Sequence, residues 1–308
     1  MNNEKTVFIV GCGDIGKRIA SLAKTKGCEI TALVRSPEKL DALKHIITRT
    51  ISASLDDPST LSSLPTAGAT LFYLAPPPGG GITDPRMRNF CAALVPGTEP
   101  KKIIYLSTTG VYGECGDVPV TEEKLPNPQS TRGMRRLDAE KTVTAWGQER
   151  GVPVVILRVT GIYGPGRLPL QHLLNGTAIL AESEAPVTNR IHADDLAMVC
   201  MAAAEKGENG DIFNVSDGEH GTMTQYFNAM ADLLGMKRPQ QVSREEASRS
   251  MPPLLYSYFS ESRRIDNSLM LNRLGVTLQY PTLAQGLPSC RPNPWPQDET
   301  LRKSERDA

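Results

Sequence analysis

The sequence predicts an α/β fold, a doubly wound parallel sheet with a smaller C-terminal substrate lobe. Three observations carry this. Apolar runs of strand length alternate with helical patterns from about residue 6 to residue 159. The first run ends in a glycine turn, Gly11-x-Gly13-x-x-Gly16, and a helix opens at once. Beyond about residue 166 the alternation loosens into short elements.

Val7 to Val10 is apolar without alternation, as expected of a parallel strand buried on both faces. Gly11 permits the tight turn, Gly13 lets a pyrophosphate approach the backbone, and Gly16 lets the helix pack close to the strand. The N–H groups at the helix start, Asp14 and Ile15, and the positive end of its dipole then face the phosphates. Such glycines can also be a plain turn. The strand–turn–helix setting favours a dinucleotide site.

Cys28 to Val34 is the second strand, reached after a helix that stops at Gly27. A site of this type for NAD expects an acid near the end of that strand, on the ribose 2′-hydroxyl. Here the chain reads Val34-Arg35-Ser36. An arginine pairs with a 2′-phosphate and Ser36 adds a hydrogen bond, so NADP is favoured over NAD. The alternative for Arg35 is a solvated loop residue.

Pro37 to Leu43 is expected as a short helix, Ile46 to Ile51 as a third strand, and Leu61 and Leu64 as part of a helix after Asp57-Pro58. Ala69 to Ala75 is a fourth strand. It runs into Pro76-Pro77-Pro78-Gly79-Gly80-Gly81, which suits neither helix nor strand. That loop is either a spacer or, with Ala75, part of the ligand edge. Lys101 to Ser107 is the fifth strand, a helix covers about Arg132 to Glu149, and Val152 to Val159 is the sixth strand. Right-handed crossovers bring the loops after Val10, Val34, Ala75, Ser107 and Val159 to one edge.

In the looser region, Leu168–Asn175, Thr222–Leu234 and Asn267–Leu274 read as helices. Asn189 to Ala197 reads as a strand entering a helix with Asp194 and Asp195 at its start, and Asp211–Val215 as a further strand. Residues 1–166 and about 189–215 are therefore assigned to the sheet domain, about 167–188 and 216–287 to the substrate lobe. Residues 288–308, rich in proline and charge, are expected to be a flexible tail.

Lysine plus arginine and aspartate plus glutamate both number 34, so no basic field invites nucleic acid. No apolar run approaches the roughly 18–20 residues of a membrane span, and the first residues lack a signal-peptide core, so a cytoplasmic protein is expected. The six cysteines show no C-x-x-C pair and the four histidines no metal spacing, so neither disulfides nor a metal is expected.

Several stretches together resemble the extended and atypical short-chain dehydrogenase/reductases of the NAD-dependent epimerase/dehydratase type. They are Gly11 to Gly16, Leu106 to Gly113 (LSTTGVYG), Leu157 to Gly166 (LRVTGIYGPG), Arg190 to Ala197 (RIHADDLA), and Leu274 to Thr282. The resemblance spans about residues 5 to 287. It implies a Rossmann-type fold, a nicotinamide cofactor, a small-molecule substrate such as a sugar nucleotide, and a homodimer. It also implies a catalytic Ser/Thr, and a Tyr and a Lys four residues apart on one helix face.

The Ser/Thr role falls on Thr108, with Ser107 beside it near the cofactor. Counting back eight residues from Glu140 puts Arg132 in the tyrosine position and Arg136 in the lysine position. An arginine stays protonated and cannot act as a general base near neutral pH. Arg132 could stabilise an oxyanion or bind an acidic group, and Arg136 could stand beside the cofactor as a fixed charge. Both could equally be solvated helix arginines. Tyr112 and Tyr163 are the phenols left at the ligand edge; each is more often a packing residue of its loop than an acid, and Tyr112 is the catalytic candidate.

Three functions follow. One is an NADP-dependent oxidoreductase or epimerase with an altered proton donor. Another is a catalytically silent NADP(H)-binding redox sensor. The last is an assembly subunit, against which the retained glycine turn, Arg35 and Thr108 argue.

Overall fold

The computed structural model describes residues 5–36, 38, 41, 44–251, 256–259 and 261–292. Seven parallel strands form the central sheet: β1 (Thr6–Val10), β2 (Glu29–Val34), β3 (Arg49–Ser52), β4 (Thr70–Tyr73), β5 (Lys102–Thr108), β6 (Val154–Val159) and a last strand, Ile212–Val215. In space the last strand lies beside β6, and β5, β4, β1, β2 and β3 follow in that order. The order reverses between β1 and β4, the switch point at which such sheets bind ligands.

Alternation along the strands builds two cores. Val7 and Ile9 face α1 (Asp14–Thr25) and the helix Ala193–Lys206, and Phe8 and Val10 face the opposite side with Leu71, Tyr73 and Tyr105. On that second side lie α2 (Pro85–Ala93) and α3 (Thr131–Arg150). With helices on both faces the strands are mostly apolar inward, with Ser107, Arg158 and Asn214 the buried polar exceptions.

The element α2 has no counterpart in the sequence reading. Its start is nevertheless written locally: the Asp84 carboxylate accepts from Arg86 N at 3.0 Å and Met87 N at 3.2 Å, with Pro85 in the first turn. The third strand is shorter and later than expected, because only Arg49 to Ser52 pairs with β2. The helix expected around Leu61 and Leu64 is a single 3₁₀ turn, Pro58–Leu61. Most of the expected Pro37–Leu43 helix lies outside the described residues.

The second lobe is built on a three-stranded sheet. Gly161–Tyr163 runs parallel to Val187–His192, and His220–Thr222 antiparallel to it. Tyr226, Phe227 and Met230 of the helix Met223–Leu233 pack there with Tyr163, Ile179 and Leu180. Of the expected flexible tail, residues past 292 lie outside the described residues. Its beginning is ordered instead: Leu287–Cys290 is a 3₁₀ turn with Cys290 buried, because both end residues fill the apolar core of the lobe.

A clasp holds this C-terminal stretch to the sheet domain. Asp195, buried at the start of its helix, accepts from Gln279 N at 2.8 Å and Tyr280 N at 2.9 Å. Nδ1 of the fully buried His192 accepts from Asp194 N, its Nε2 meets the Ser289 hydroxyl at 3.0 Å, and Tyr280 stacks on the ring at 4.0 Å. Among the described residues no helix is long and apolar enough to cross a membrane. All six cysteines are free thiols, and no group of three His, Cys, Asp or Glu among the described residues could hold a metal ion.

Burial pushes His192 below the ordinary imidazole range, against the opposing pull of Asp194 and Asp195. The unfolded chain then takes up a proton near pH 6.5 that the folded chain resists, so this residue lowers stability as pH falls below about 6.5. Urea unfolding between pH 7.5 and 5 is expected to show that loss. His192→Asn, which keeps a helix cap and cannot titrate there, is expected to make the slope shallower; an unchanged slope contradicts the assignment.

Candidate functional site

The loops at the carboxyl edge of the sheet enclose two cavities. The larger, about 480 Å³, lies at the switch point and is lined by the glycine turn, the end of β2 and the segment after β4. Gly11 sits at φ +84°, and a Cβ there would stand 2.8 Å from Ala75 N, so the turn fits only a glycine. A Cβ on Gly16 would press on Gly11 O at 3.2 Å and on Ile9 and Leu74. A Cβ on Gly13 would meet nothing within 4 Å, so its backbone faces open space where a phosphate can approach.

Gly13 caps α1 without any side chain satisfying the helix start. Asp14 and Ile15 open that helix. Ile15 is buried in the core, so only its backbone is on offer to a ligand. The Asp14 carboxylate is turned aside, accepting from Arg18 at 3.2 Å and Arg167 at 3.1 Å. Arg18 also pairs with Asp194. A first-turn acid that would repel a phosphate is thereby offset, and Arg167 is committed to it.

Arg35 and Ser36 line the same cavity, with Arg35 exposed. Across from them stand two residues that sequence reasoning missed. Arg86 donates to Asp56 through Nε and Nη2, both at 2.7 Å, and to Pro76 O at 2.9 Å. That pairing holds the Asp56 carboxyl below its usual range. The ion pair joins positions thirty residues apart, so no local spacing announces it. Cys12 also lines the cavity, and burial pushes its thiol up to about 11.

The smaller cavity, about 220 Å³, brings together Thr108, Arg132, Thr160, Arg190, Glu261 and Arg263. Thr108 Oγ1 accepts from Gly110 N at 3.2 Å and caps the 3₁₀ turn Thr109–Tyr112. Arg132 is exposed on the first turn of α3. Arg136 is not part of either cavity lining. Its Nη1 donates to Leu106 O at 2.8 Å and Tyr105 Oη at 3.3 Å, so the pair of arginines is split between cavity and sheet.

Two of the expected residues lie away from both cavities. Tyr112 is fully buried, with its hydroxyl donating to Asn214 Oδ1 at 2.8 Å and the Arg158 guanidinium over its ring at 4.8 Å. Burial raises its pKa, and it reaches neither cavity. Tyr163 is equally buried. Ser107, expected at the cofactor, is buried and its hydroxyl donates to Glu140. Glu140 in turn accepts two bonds from Arg158, at 2.8 and 3.2 Å, with both side chains 4% exposed.

Glu140 thus ties α3 to β5 and β6 at once. Removing one partner of a buried ion pair leaves the other charge stranded, at a cost of about 3–5 kcal/mol. Glu140→Gln is expected to lower the denaturant midpoint by a matching amount, and Lys141→Gln, one position along, to leave it unchanged. Equal midpoints for Glu140→Gln and the parent contradict this account of the helix anchor.

Comparison with known proteins now bears on these cavities. Residues 87–216 match the NAD dependent epimerase/dehydratase family, and residues 7–85 match the TrkA-N domain. Protein YeeZ of Escherichia coli (strain K12) is 28% identical over 289 residues, spanning 90% of this chain and 97% of that protein. A functionally unknown conserved protein from Silicibacter pomeroyi superposes with a TM-score of 0.76 at 27% identity, over 92% of this chain and 96% of that one. UDP-glucose 4-epimerase of Thermotoga maritima, solved with UDP-glucose, gives 0.74 at 20% identity over 97% and 99%, which speaks for the fold alone. The seven-stranded parallel sheet is accordingly a Rossmann fold, and residues 87–216 are similar to the NAD dependent epimerase/dehydratase family.

Proposed function

We propose that this protein is an NADP(H)-dependent oxidoreductase or epimerase acting on a hydroxyl or carbonyl compound held beside Thr108, with the sugar nucleotides of its relatives as the reference class. The observation that carries the cofactor is the glycine cradle closed against Ala75 with Arg35 at the far end of the cavity. Gly11, Gly13 and the N-terminal backbone of α1 would hold the pyrophosphate. Arg35 and Ser36 would hold the 2′-phosphate, and the pairing of Asp56 with Arg86 mutes the carboxylate that would oppose it. When bound, the nicotinamide gives or accepts a hydride.

The chain's own groups do the rest. Thr108 Oγ1 accepts from the Gly110 amide, which leaves its proton free to hold a substrate oxygen. Arg132, in the same cavity, stabilises negative charge as it gathers on that oxygen. Neither Arg132 nor Arg136 exchanges a proton near neutral pH. The resemblance further implies a homodimer.

One observation favours a second reading, a silent NADP(H)-binding sensor. Among the described residues around the smaller cavity there is no tyrosine, lysine or histidine to exchange a proton. Fluorescence titration is expected to show saturable NADPH binding at least tenfold tighter than NADH, with Arg35→Ala erasing that preference and leaving NADH affinity within about twofold. Binding of neither nucleotide overturns both readings, and a preference for NADH overturns the role of Arg35. Turnover on a panel of sugar nucleotides, aldehydes and hydroxy acids then separates enzyme from sensor. Cofactor binding without turnover supports the sensor.

A further inference from the structure

The cavity beside Thr108 is narrow and positively charged. At about 220 Å³ it falls below the roughly 300–1,000 Å³ that drug-sized ligands occupy. Met223 and Ser257 line it from the second lobe, and the sheet ends at Thr108 and Thr160 line it from the first. A base, a ribose, two phosphates and a hexose together exceed this space, so a nucleotide sugar would have to extend out of it.

Its charge is as telling as its size. Three arginines, Arg132, Arg190 and Arg263, face a single carboxylate, Glu261. Glu261 is already ion-paired with Arg263, which also donates to Gly113 O at 2.9 Å. Arg190 is the unusual member. It is 7% exposed, and among the described residues it forms no ion pair. Its Nη2 donates to Thr222 O at 3.0 Å and touches Met223 Sδ at 3.3 Å, and its guanidinium lies over the Tyr226 ring at 4.5 Å.

A desolvated guanidinium whose hydrogen bonds go only to neutral groups is held at a cost, and a carboxylate or phosphate brought to it relieves that cost. Asp217 and Glu219 line a separate cavity of about 240 Å³ with Arg190, and both favour its charge without an ion pair to it. Burial pushes Asp217 up to about 7, so near neutral pH much of it is uncharged and part of that support is lost. Desolvation likewise works against the charge on Arg190 itself.

We propose that this cavity takes a compact anionic hydroxyl or carbonyl compound whose acidic group pairs with Arg190, in preference to nucleotide-diphosphate sugars. The proposal rests on the reading of Thr108 as the substrate-facing hydroxyl and narrows its substrate class. A carboxylate and a phosphate monoester offer the same chemistry to a guanidinium, and they differ in charge and number of oxygens.

Isothermal titration of the full chain with NADP present tests it, using glucuronate, glucose 6-phosphate, glucose and UDP-glucose as probes. At least one of the two compact acids is expected to bind more than tenfold tighter than glucose, and whichever does so identifies the acidic group. UDP-glucose is expected to bind more weakly than that acid. Arg190→Met is expected to remove acid binding. Met223→Trp fills the same space without touching a charge, so it tests the cavity even where Arg190→Met fails to fold, and it too is expected to remove acid binding while NADPH still binds. Saturable UDP-glucose binding tighter than both acids overturns the proposal, as does the absence of acid binding or acid binding that survives both variants. Acid binding repeated without nucleotide, followed by thermal shift, keeps this result separate from a failure to bind NADPH.

Discussion

The site depends on one buried ion pair. Glu140 reaches from α3 to Arg158 on β6 and to the Ser107 hydroxyl on β5, so one carboxylate fixes a helix against two neighbouring strands. Arg158 in turn stacks on Tyr112, whose hydroxyl is held by Asn214 on the next strand of the sheet. Every group in that chain is buried, where an unmatched charge is far more costly than at the surface. Thr108 follows Ser107 directly, and Arg132 lies two helical turns before Glu140. The spacing of Thr108 and Arg132 across the smaller cavity is therefore set by groups outside its lining.

The other fixed point is the approach of Gly11 to Ala75. Backbone and backbone come so close that no side chain fits between them, which seats α1 over the sheet and leaves its first turn facing the cavity. Charge is managed around that turn with the same economy. Asp14 is offset by Arg18 and Arg167, and Asp56 by Arg86, so the cavity carries acids without presenting a free carboxylate. Arg18 and Asp194 then couple the turn to the helix that begins at the clasp of His192 and Asp195.

How much of this was legible in the chain follows from distance along it. The sheet, the glycine turn, Arg35 and Thr108 are written in runs of a few residues, where periodicity and turn chemistry act. The short helix α2 was also written locally, in Asp84-Pro85, and was overlooked. The pairing of Arg86 with Asp56 and the burial of Tyr112 against Asn214 span thirty and about a hundred residues, and no pattern of spacing encodes them. Ser107 is placed by a local rule: its neighbour Thr108 faces the cavity, and strand alternation turns Ser107 the other way, onto Glu140.

The split of Arg132 and Arg136 follows from matching repeats. Four residues of helix rise about 6 Å, close to the rise of two residues of strand, about 6.6 Å. Arg132 thus stands level with Thr108, and Arg136, one turn on, stands level with Leu106, whose carbonyl it binds. A tyrosine and a lysine at these positions would divide the work between a phenol that exchanges protons and a fixed cation. Two arginines keep the cations and give up the phenol. With Tyr112 and Tyr163 both buried, the one carboxylate lining the smaller cavity among the described residues is Glu261, paired with Arg263, and permanent positive charge gathers beside Thr108.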